Sequence, residues 1–156
     1  MVYVFDTSSF IVLGHYFPER FPSFWEKFEY AVATHLVVSC REVLRELEGR
    51  GNKEHLEKWI GRNKSLFAPP TSEESQFVSQ IFSVPHFLQL VSEQQRLKGV
   101  PVADPFVIAS ANVRNGCVVT EEVKKPSAAR IPNVCEHFSI PCTNLDGFMQ
   151  ANRWTF

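Results

Sequence analysis

Acidic residues stand at the ends of several predicted chain elements, and their spacing bears more directly on chemistry than any other feature. Asp6 ends an apolar opening segment, Glu46 lies in a helical stretch after the second apolar run, and Asp104 opens another helical stretch. Glu121 and Glu122 follow a further apolar run. If the apolar runs are neighbouring parallel strands, their carboxyl ends share the sheet edge at which open α/β sheets bind ligands. The sequence therefore predicts that these carboxylates converge.

Convergence of several carboxylates requires a compensating charge. Two carboxylates about 5 Å apart repel by roughly 3 kcal/mol at an effective dielectric constant near 20. A group of three or four therefore favours a bound cation, and hard oxygen ligands select Mg²⁺ or Mn²⁺. Such a metal lowers the pKa of a bound water and stabilises charge on a phosphate under in-line attack. The chemistry indicated is metal-assisted hydrolysis of a phosphodiester.

Each of these acids also has a structural interpretation. Asp6 and Asp104 could be helix N-caps, whose side-chain oxygen accepts a hydrogen bond from a backbone N–H. Ser39 and Glu42 have the spacing of a capping box, in which the acid bonds back to the cap. This interpretation removes Glu42 from the metal site and leaves Glu46, one turn later, as the freer carboxylate.

Strands and helices alternate along the chain. Strands are predicted at residues 1–5, 35–39, 117–120 and 141–145. Helices are predicted at residues 22–34, 53–62, 71–82, 87–98 and 132–138, together with helices that begin after Ser39, Asp104 and Asp146. Alternation of this kind favours an α/β fold. We expect a three-layer α/β/α sandwich with a central, mostly parallel sheet, formed by residues 1–156 as one domain.

Composition indicates a globular protein of the cytoplasm. The 156 residues are 44% hydrophobic, and no apolar run approaches the roughly 20 residues of a membrane helix. The net charge of −1 argues against bulk electrostatic coating of nucleic acid, although it permits a local basic lip. The four cysteines lack paired metal-ligand spacing and are expected to be reduced, mostly buried thiols. They are Cys40, Cys117, Cys135 and Cys142.

Four segments resemble, in order, the motifs of PIN-domain nucleases. They are residues 4–8, 43–47, 104–111 and 118–122. The first is similar to the opening strand and Asp of that family, with Ser8 at its Ser/Asn position, and the second places the family's Glu at Glu46. The third resembles the Asp that leads an Ala-rich apolar helix. The fourth resembles a strand that ends in Thr120 and is followed by an acid.

The resemblance implies a PIN-like fold and a Mg²⁺- or Mn²⁺-dependent endoribonuclease that cleaves single-stranded or structured RNA. Many such proteins are VapC-like toxins, which implies a cognate antitoxin protein and, as a modest expectation, a homodimer. The metal-binding and catalytic residues implied are Asp6, Glu46, Asp104 and Glu122, with Ser8 and Thr120 in support. The alternative is a catalytically weak PIN scaffold that binds RNA or protein.

The fourth acid departs from the family pattern, in which an Asp more often stands two residues after the Thr. Glu122 is the first choice on that spacing and Glu121 the fallback, and either could be a solvated loop charge. A longer side chain at this position could shift or weaken the metal.

Basic residues beside these acids are candidates for contact with RNA. Arg41 and Arg45 are spaced i, i+4 near Glu46, and Lys124, Lys125 and Arg130 lie in the loop after the fourth acid. Solvated surface positions are the preferred interpretation for all five, and contact with RNA is the alternative.

Two other site classes fit the sequence less well. An aspartyl-phosphate phosphatase would need a second Asp two positions after Asp6, where Ser8 stands. A metal-dependent adhesion module of the D-x-S-x-S type would need a final Ser at Phe10, which cannot bind a metal.

Overall fold

The fold is built on a five-stranded sheet in which every neighbouring pair of strands is parallel. The structure, a computed structural model, describes residues 1–91 and 102–156. The strands are β1 (Tyr3–Phe5), β2 (Val37–Cys40), β3 (Phe67–Ala68), β4 (Cys117–Val119) and β5 (Cys142–Thr143), arranged in the order β3-β2-β1-β4-β5. The central position of β1 places Asp6 in the middle of the carboxyl edge.

Helices cover both faces of this sheet. They are α1 (Thr7–Leu13), α2 (Pro22–Ala33), α3 (Arg41–Glu48), α4 (Glu54–Arg62), α5 (Ser72–Phe82), α6 (Asp104–Val113), α7 (Ile131–His137) and α8 (Leu145–Ala151), with 3₁₀ turns at Lys64–Leu66 and Pro85–Leu90. Helix α6 packs against β1, β2 and β4 and also contacts α5 and α7. The predicted three-layer α/β/α sandwich is therefore confirmed, and the described sheet is entirely parallel.

Alternation along β1 divides the core between two layers. Tyr3 and Phe5 project to one face, where Phe5 contacts Phe28 of α2 and Phe148 of α8 at ring separations of 5.5 and 5.2 Å. Val4 projects to the other face and is fully buried. Because both faces are covered, the strands read as continuous apolar runs.

Two short elements are absent from the sequence predictions. The segment after β1, for which no element was predicted, forms α1, and the residues before Pro69 form β3. β3 has only two residues, too few for a strand pattern to be visible. Of the helix predicted at residues 87–98, the described part holds the 3₁₀ turn Pro85–Leu90, and residues 92–98 lie outside the described ranges.

The predicted caps of three helices are wrong. Ser39 remains in β2 and its hydroxyl donates to the Phe5 carbonyl at 2.8 Å, so α3 begins at Arg41 and no Ser39–Glu42 capping box forms. Asp104 is the first residue of α6 and does not cap it, and Asn144 caps α8 in place of Asp146. The Asp104 carboxylate therefore makes no cap hydrogen bond to α6.

The cysteines are unpaired, as expected of reduced thiols: Cys142 is exposed and the other three are buried. Within the described ranges, no helix combines the length and apolarity required to cross a membrane.

Gly116, directly before β4, lies against the backbone of Val2, directly before β1. A Cβ atom at Gly116 would lie 2.5 Å from the Val2 carbonyl oxygen, which also accepts the Cys117 N–H. Gly116→Ala should therefore lower the free energy of unfolding by about 1–3 kcal/mol, measured by urea denaturation. The control is Gly61→Ala in α4, where nothing lies within 4 Å of the added Cβ. This variant should be neutral or up to about 1 kcal/mol more stable. Equal stability of the two variants would contradict the assigned β1–β4 contact.

Candidate metal centre

The four acids chosen from the sequence line one cavity at the carboxyl edge of the sheet. Asp6, Glu46, Asp104 and Glu122 surround a volume of about 280 Å³. They come from the end of β1, from α3 after β2, from the start of α6 and from the loop after β4. The Asp6 N–H donates to the Val119 carbonyl at 3.1 Å, which keeps the ends of β1 and β4 side by side.

Asp6 is the most buried of the four carboxylates, with 3% of its surface exposed. The Ser9 N–H donates to Oδ1 at 2.8 Å, so Asp6 is also the N-cap of α1. The Thr120 hydroxyl donates to Oδ2 at 2.5 Å, and the Ser8 hydroxyl lies 2.8 and 2.9 Å from the two oxygens. Burial raises the pKa of Asp6, and these hydrogen bonds, that of Thr120 foremost, oppose the rise.

Ser8 and Thr120 join Asp6 to the backbone of the loop after β4. The Glu121 N–H donates to the Ser8 hydroxyl at 2.9 Å, and the Glu122 N–H donates to the Thr120 hydroxyl at 3.1 Å. Each hydroxyl therefore accepts from the loop and is close to the carboxylate. This network fixes Asp6 relative to the loop that carries Glu122.

Glu46 connects three elements that border the cavity. Its Oε1 accepts the Ala103 N–H at 2.9 Å, directly before Asp104, and its Oε2 accepts the Thr7 hydroxyl at 3.1 Å. Glu46 thus holds the start of α6 against α1 and α3.

The adjacent acids Glu121 and Glu122 diverge. Glu122 lines the cavity, and its Oε2 accepts the Ile131 N–H at the start of α7 at 2.9 Å. Glu121 is absent from the cavity wall, and its Oε1 accepts the Leu145 N–H at the start of α8 at 2.8 Å. The carboxylate of Glu122, the first choice from the sequence, therefore lies at the cavity, whereas that of Glu121, the fallback, lies at the start of α8.

Asp104 is electrostatically the most perturbed member of the group. Burial raises its pKa from 3.8 to about 8, and the charges of Glu122, Glu46 and Asp6 add to the rise. Within the described ranges, no hydrogen-bond donor reaches its carboxyl group. Asp104 is thus held protonated near neutral pH, in a position where a cation would favour the ionised form.

The donor set fits a hard divalent cation, although the carboxylates do not form a closed cage. In the described part of the chain, no group of three His, Cys, Asp or Glu side chains is placed to hold one ion. Mg²⁺ needs no such cage, because it keeps several waters and is usually bound by one or two carboxylates together with substrate phosphates. The pair suited to this role is the buried Asp6 together with Asp104, whose carboxyl group has no donor among residues 1–91 and 102–156.

Comparison with known proteins places the chain in a family. Residues 3–156 match the family described as Domain of unknown function (DUF4411). The chain belongs to the DUF4411 family. The structure is similar to a chain in the crystal structure of VapBC2 from Rickettsia felis bound to a DNA fragment from their promoter, with a TM-score of 0.53 and 15% sequence identity. The similarity covers 94% of this chain and 100% of that chain. A search among curated protein sequences found no match.

Arg50 of the DUF4411 chain also lines the cavity, although it was not among the residues predicted from the sequence. Arg50 lines the cavity from the loop after α3, between two glycines that mark only the end of that helix in the sequence. The signal available in the sequence was its position four residues after Glu46. Arg50 lies in a loop because α3 ends at Glu48. Arg50 is exposed, and within the described ranges it forms no ion pair, so its guanidinium is available for an anionic ligand.

The two arginines proposed from α3 lie apart from the cavity wall. Arg41 forms an ion pair with the buried Glu42 at 2.9 Å, and Arg45 is exposed. Glu42 keeps one buried oxygen without a partner in the described part of the chain.

The basic residues after the fourth acid lie on the other side of the centre. Lys124 forms an ion pair with Glu136 and lines a neighbouring cavity that also contains Glu122. Arg130 donates to the Val123 carbonyl at 3.3 Å, and its charge lowers the pKa of Glu122 against the larger effect of burial.

Lys125 is exposed, and its backbone exchanges hydrogen bonds with the Asn133 side chain.

The raised pKa of Asp104 predicts a pH dependence of stability in the metal-free protein. Because the folded state binds the proton more tightly than the unfolded state, the free energy of unfolding falls as pH rises from about 4 to about 8. We expect Asp104→Asn to remove roughly 2–5 kcal/mol of this decrease, measured by urea denaturation in EDTA.

Asp146→Asn, at an exposed position in α8, is the matched control and should keep the pH profile of the original protein. An unchanged slope in Asp104→Asn would show that Asp104 ionises in its ordinary range.

Proposed function

We propose that this protein is a metal-dependent endoribonuclease that hydrolyses phosphodiester bonds in single-stranded or structured RNA. The observation that carries the proposal is the cavity shared by the carboxylates of Asp6, Glu46, Asp104 and Glu122. Such a group favours a divalent cation, and Mg²⁺ or Mn²⁺ suits its oxygen donors. The resemblance of four sequence segments to PIN-domain nuclease motifs supports the same activity.

Each side chain at this site has a separate role in the proposed reaction. Asp6 and Asp104 would hold the cation, which supplies an activated water and stabilises charge on the phosphate when bound. Thr120 and Ser8 keep the Asp6 carboxylate in one orientation by the hydrogen bonds described above. Glu122 is positioned to accept a proton or complete the metal sphere, and Arg50 to bind the phosphate. Glu46, already bonded through both oxygens, would orient Asp104 through the Ala103 backbone and reach the metal from the same cavity wall.

A role as the toxin of a toxin–antitoxin pair is part of this proposal. The structural similarity to a chain of a VapBC2 complex supports it, together with the resemblance to VapC-like toxins. The partners proposed are an RNA substrate, a cognate antitoxin protein and a second copy of the chain, and the site of action is the cytoplasm.

One observation favours a second candidate, a catalytically weak scaffold that binds RNA or protein. Both oxygens of Asp6 and both of Glu46 are already bonded to the protein, and no three acids are grouped around one point in the described ranges. A cation would have to replace some of these bonds.

Cleavage of RNA tests the proposed function. Purified protein with Mn²⁺ should cleave a single-stranded RNA, and Asp6→Asn or Asp104→Asn should lower the rate by roughly a hundredfold or more, because each removes charge that holds the cation. The rate is measured on a labelled oligonucleotide by gel electrophoresis, with Asp146→Asn as the control at full activity. Cleavage that persists in the double variant Asp6→Asn/Asp104→Asn would assign the activity to another site or another protein.

Stabilisation by metal tests the site without requiring activity. A cation at 100 times its Kd stabilises the folded state by about 2.7 kcal/mol, which raises Tm by roughly 5–10 °C in a domain of this size. We expect millimolar Mn²⁺ to produce such a shift in calorimetry and Glu122→Gln to reduce it.

Glu121→Gln is the matched control for that experiment, because Gln keeps an oxygen acceptor for the Leu145 N–H. It should keep the full shift. A Tm unaffected by Mn²⁺ in the original protein would count against a metal site. Loss of the shift in Glu121→Gln but not in Glu122→Gln would assign the metal ligand to Glu121 and not to Glu122.

A further inference from the structure

Three cavities adjoin the metal centre, and they differ in charge. One shares Glu122 with the centre and contains the ion pair of Lys124 with Glu136. A second shares Arg50 and contains Glu48 and Glu57. The third, which we call the Lys53 groove, has a volume of about 330 Å³ and shares both Arg50 and Ile11 with the centre.

The Lys53 groove is the basic one. Its polar and glycine walls are Gly14, His15, Arg50, Gly51, Asn52 and Lys53. Among the described residues that line it there is no carboxylate, whereas each of the other two cavities contains two. An anionic chain approaching the acidic centre therefore meets the least repulsion along this groove.

The walls of the groove are held in place by contacts between α1 and α4. The His55 ring nitrogen Nε2 is hydrogen-bonded to the Gly14 carbonyl at 2.9 Å, which ties the end of α1 to α4. A Cβ atom at Gly14 would lie 3.2 Å from Lys53 Cγ, so the stem of Lys53 packs on the glycine. This packing leaves the exposed Lys53 ammonium at the groove wall.

We infer that the Lys53 groove binds the phosphate backbone of single-stranded RNA and leads the strand to the metal centre, with Arg50 at the junction and Lys53 and His15 farther along. The inference rests on the proposed ribonuclease function and adds the side from which the substrate enters. A recessed groove between α1 and the loop after α3 suits one strand, because cationic grooves that follow the backbone are the usual means of holding single strands. The side of Lys124 is less suited to this role, since its cavity contains two carboxylates, Glu122 and Glu136, the second of which is paired with Lys124.

Binding of RNA by uncleaving protein tests the groove apart from the chemistry. Asp104→Asn serves as the parent, with Mg²⁺ present, and the probe is a fluorescein-labelled single-stranded RNA of about 12 nucleotides. Adding Arg50→Ala and Lys53→Ala should weaken binding about 25-fold, roughly fivefold for each charge removed, in fluorescence anisotropy. The slope of log Kd against log salt concentration should fall by about 1.4, because two phosphate contacts are lost.

Two charge-matched pairs serve as controls in the same parent. Lys124→Ala/Lys125→Ala removes two charges on the opposite side, and Lys27→Ala/Arg62→Ala removes two from exposed helix positions outside the three cavities. Each control should change Kd by less than about twofold. Equal losses in all three pairs, a larger loss in the Lys124/Lys125 pair, or no binding by the parent would overturn the inference. Melting curves of each variant confirm folding.

The outcome separates the groove from the proposed activity. Cleavage by the original protein with no loss of binding in the Arg50/Lys53 pair would retain the nuclease and reject the groove. A 25-fold loss of binding in a protein that does not cleave RNA would retain the groove and favour the RNA-binding scaffold.

Discussion

The mutual repulsion of four carboxylates at one edge of the sheet is the constraint on which the rest of the site depends. Asp6 is buried and would be unstable as an anion without the hydroxyls of Thr120 and Ser8 and the Ser9 N–H. Glu46 and Glu122 are each stabilised by a backbone N–H. Asp104 has no such donor among the described residues, so burial raises its pKa and the charges of Glu122, Glu46 and Asp6 add to the rise. Hydrogen bonds from the protein thus stabilise the charge of three acids, whereas Asp104 requires a proton or a cation to neutralise it.

The parallel sheet is the reason that these acids meet. In the order β3-β2-β1-β4-β5, the central β1 has β2 on one side and β4 on the other, so residues that follow three strands project from one edge. Asp104 reaches the same edge from α6, which packs across β1, β2 and β4. The aromatic layer on the other face fixes β1 through Phe5, which contacts rings from α1, α2 and α8. A change in this layer would move Asp6, because no residue separates it from Phe5.

Much of the architecture could be predicted from the sequence because its signals are local. Buried parallel strands read as apolar runs, and Asp104 followed by Pro105 marks a helix start to within one residue. Caps were less predictable, since the Ser39 hydroxyl bonds across the sheet to the Phe5 carbonyl and no local pattern encodes that contact. The placement of Glu122 at the cavity and Glu121 at α8 depends on which helix start each side chain reaches. Arg50 was missed for a similar reason: a loop arginine between glycines acquires significance only when α3 and α1 bring it to the cavity.

The charges of the described residues around the centre are unevenly distributed, with unpaired cations on the side of the Lys53 groove. Two of the five cations predicted beside the acids are paired with carboxylates, Lys124 with Glu136 and Arg41 with Glu42. Arg50 and Lys53 have no such partner in the described ranges, and both line the groove that opens into the centre. A polyanion is attracted to unpaired cations and repelled by the carboxylates until a metal neutralises them. Under the proposed function, metal binding and substrate binding therefore reinforce each other, because each brings a charge that the other requires.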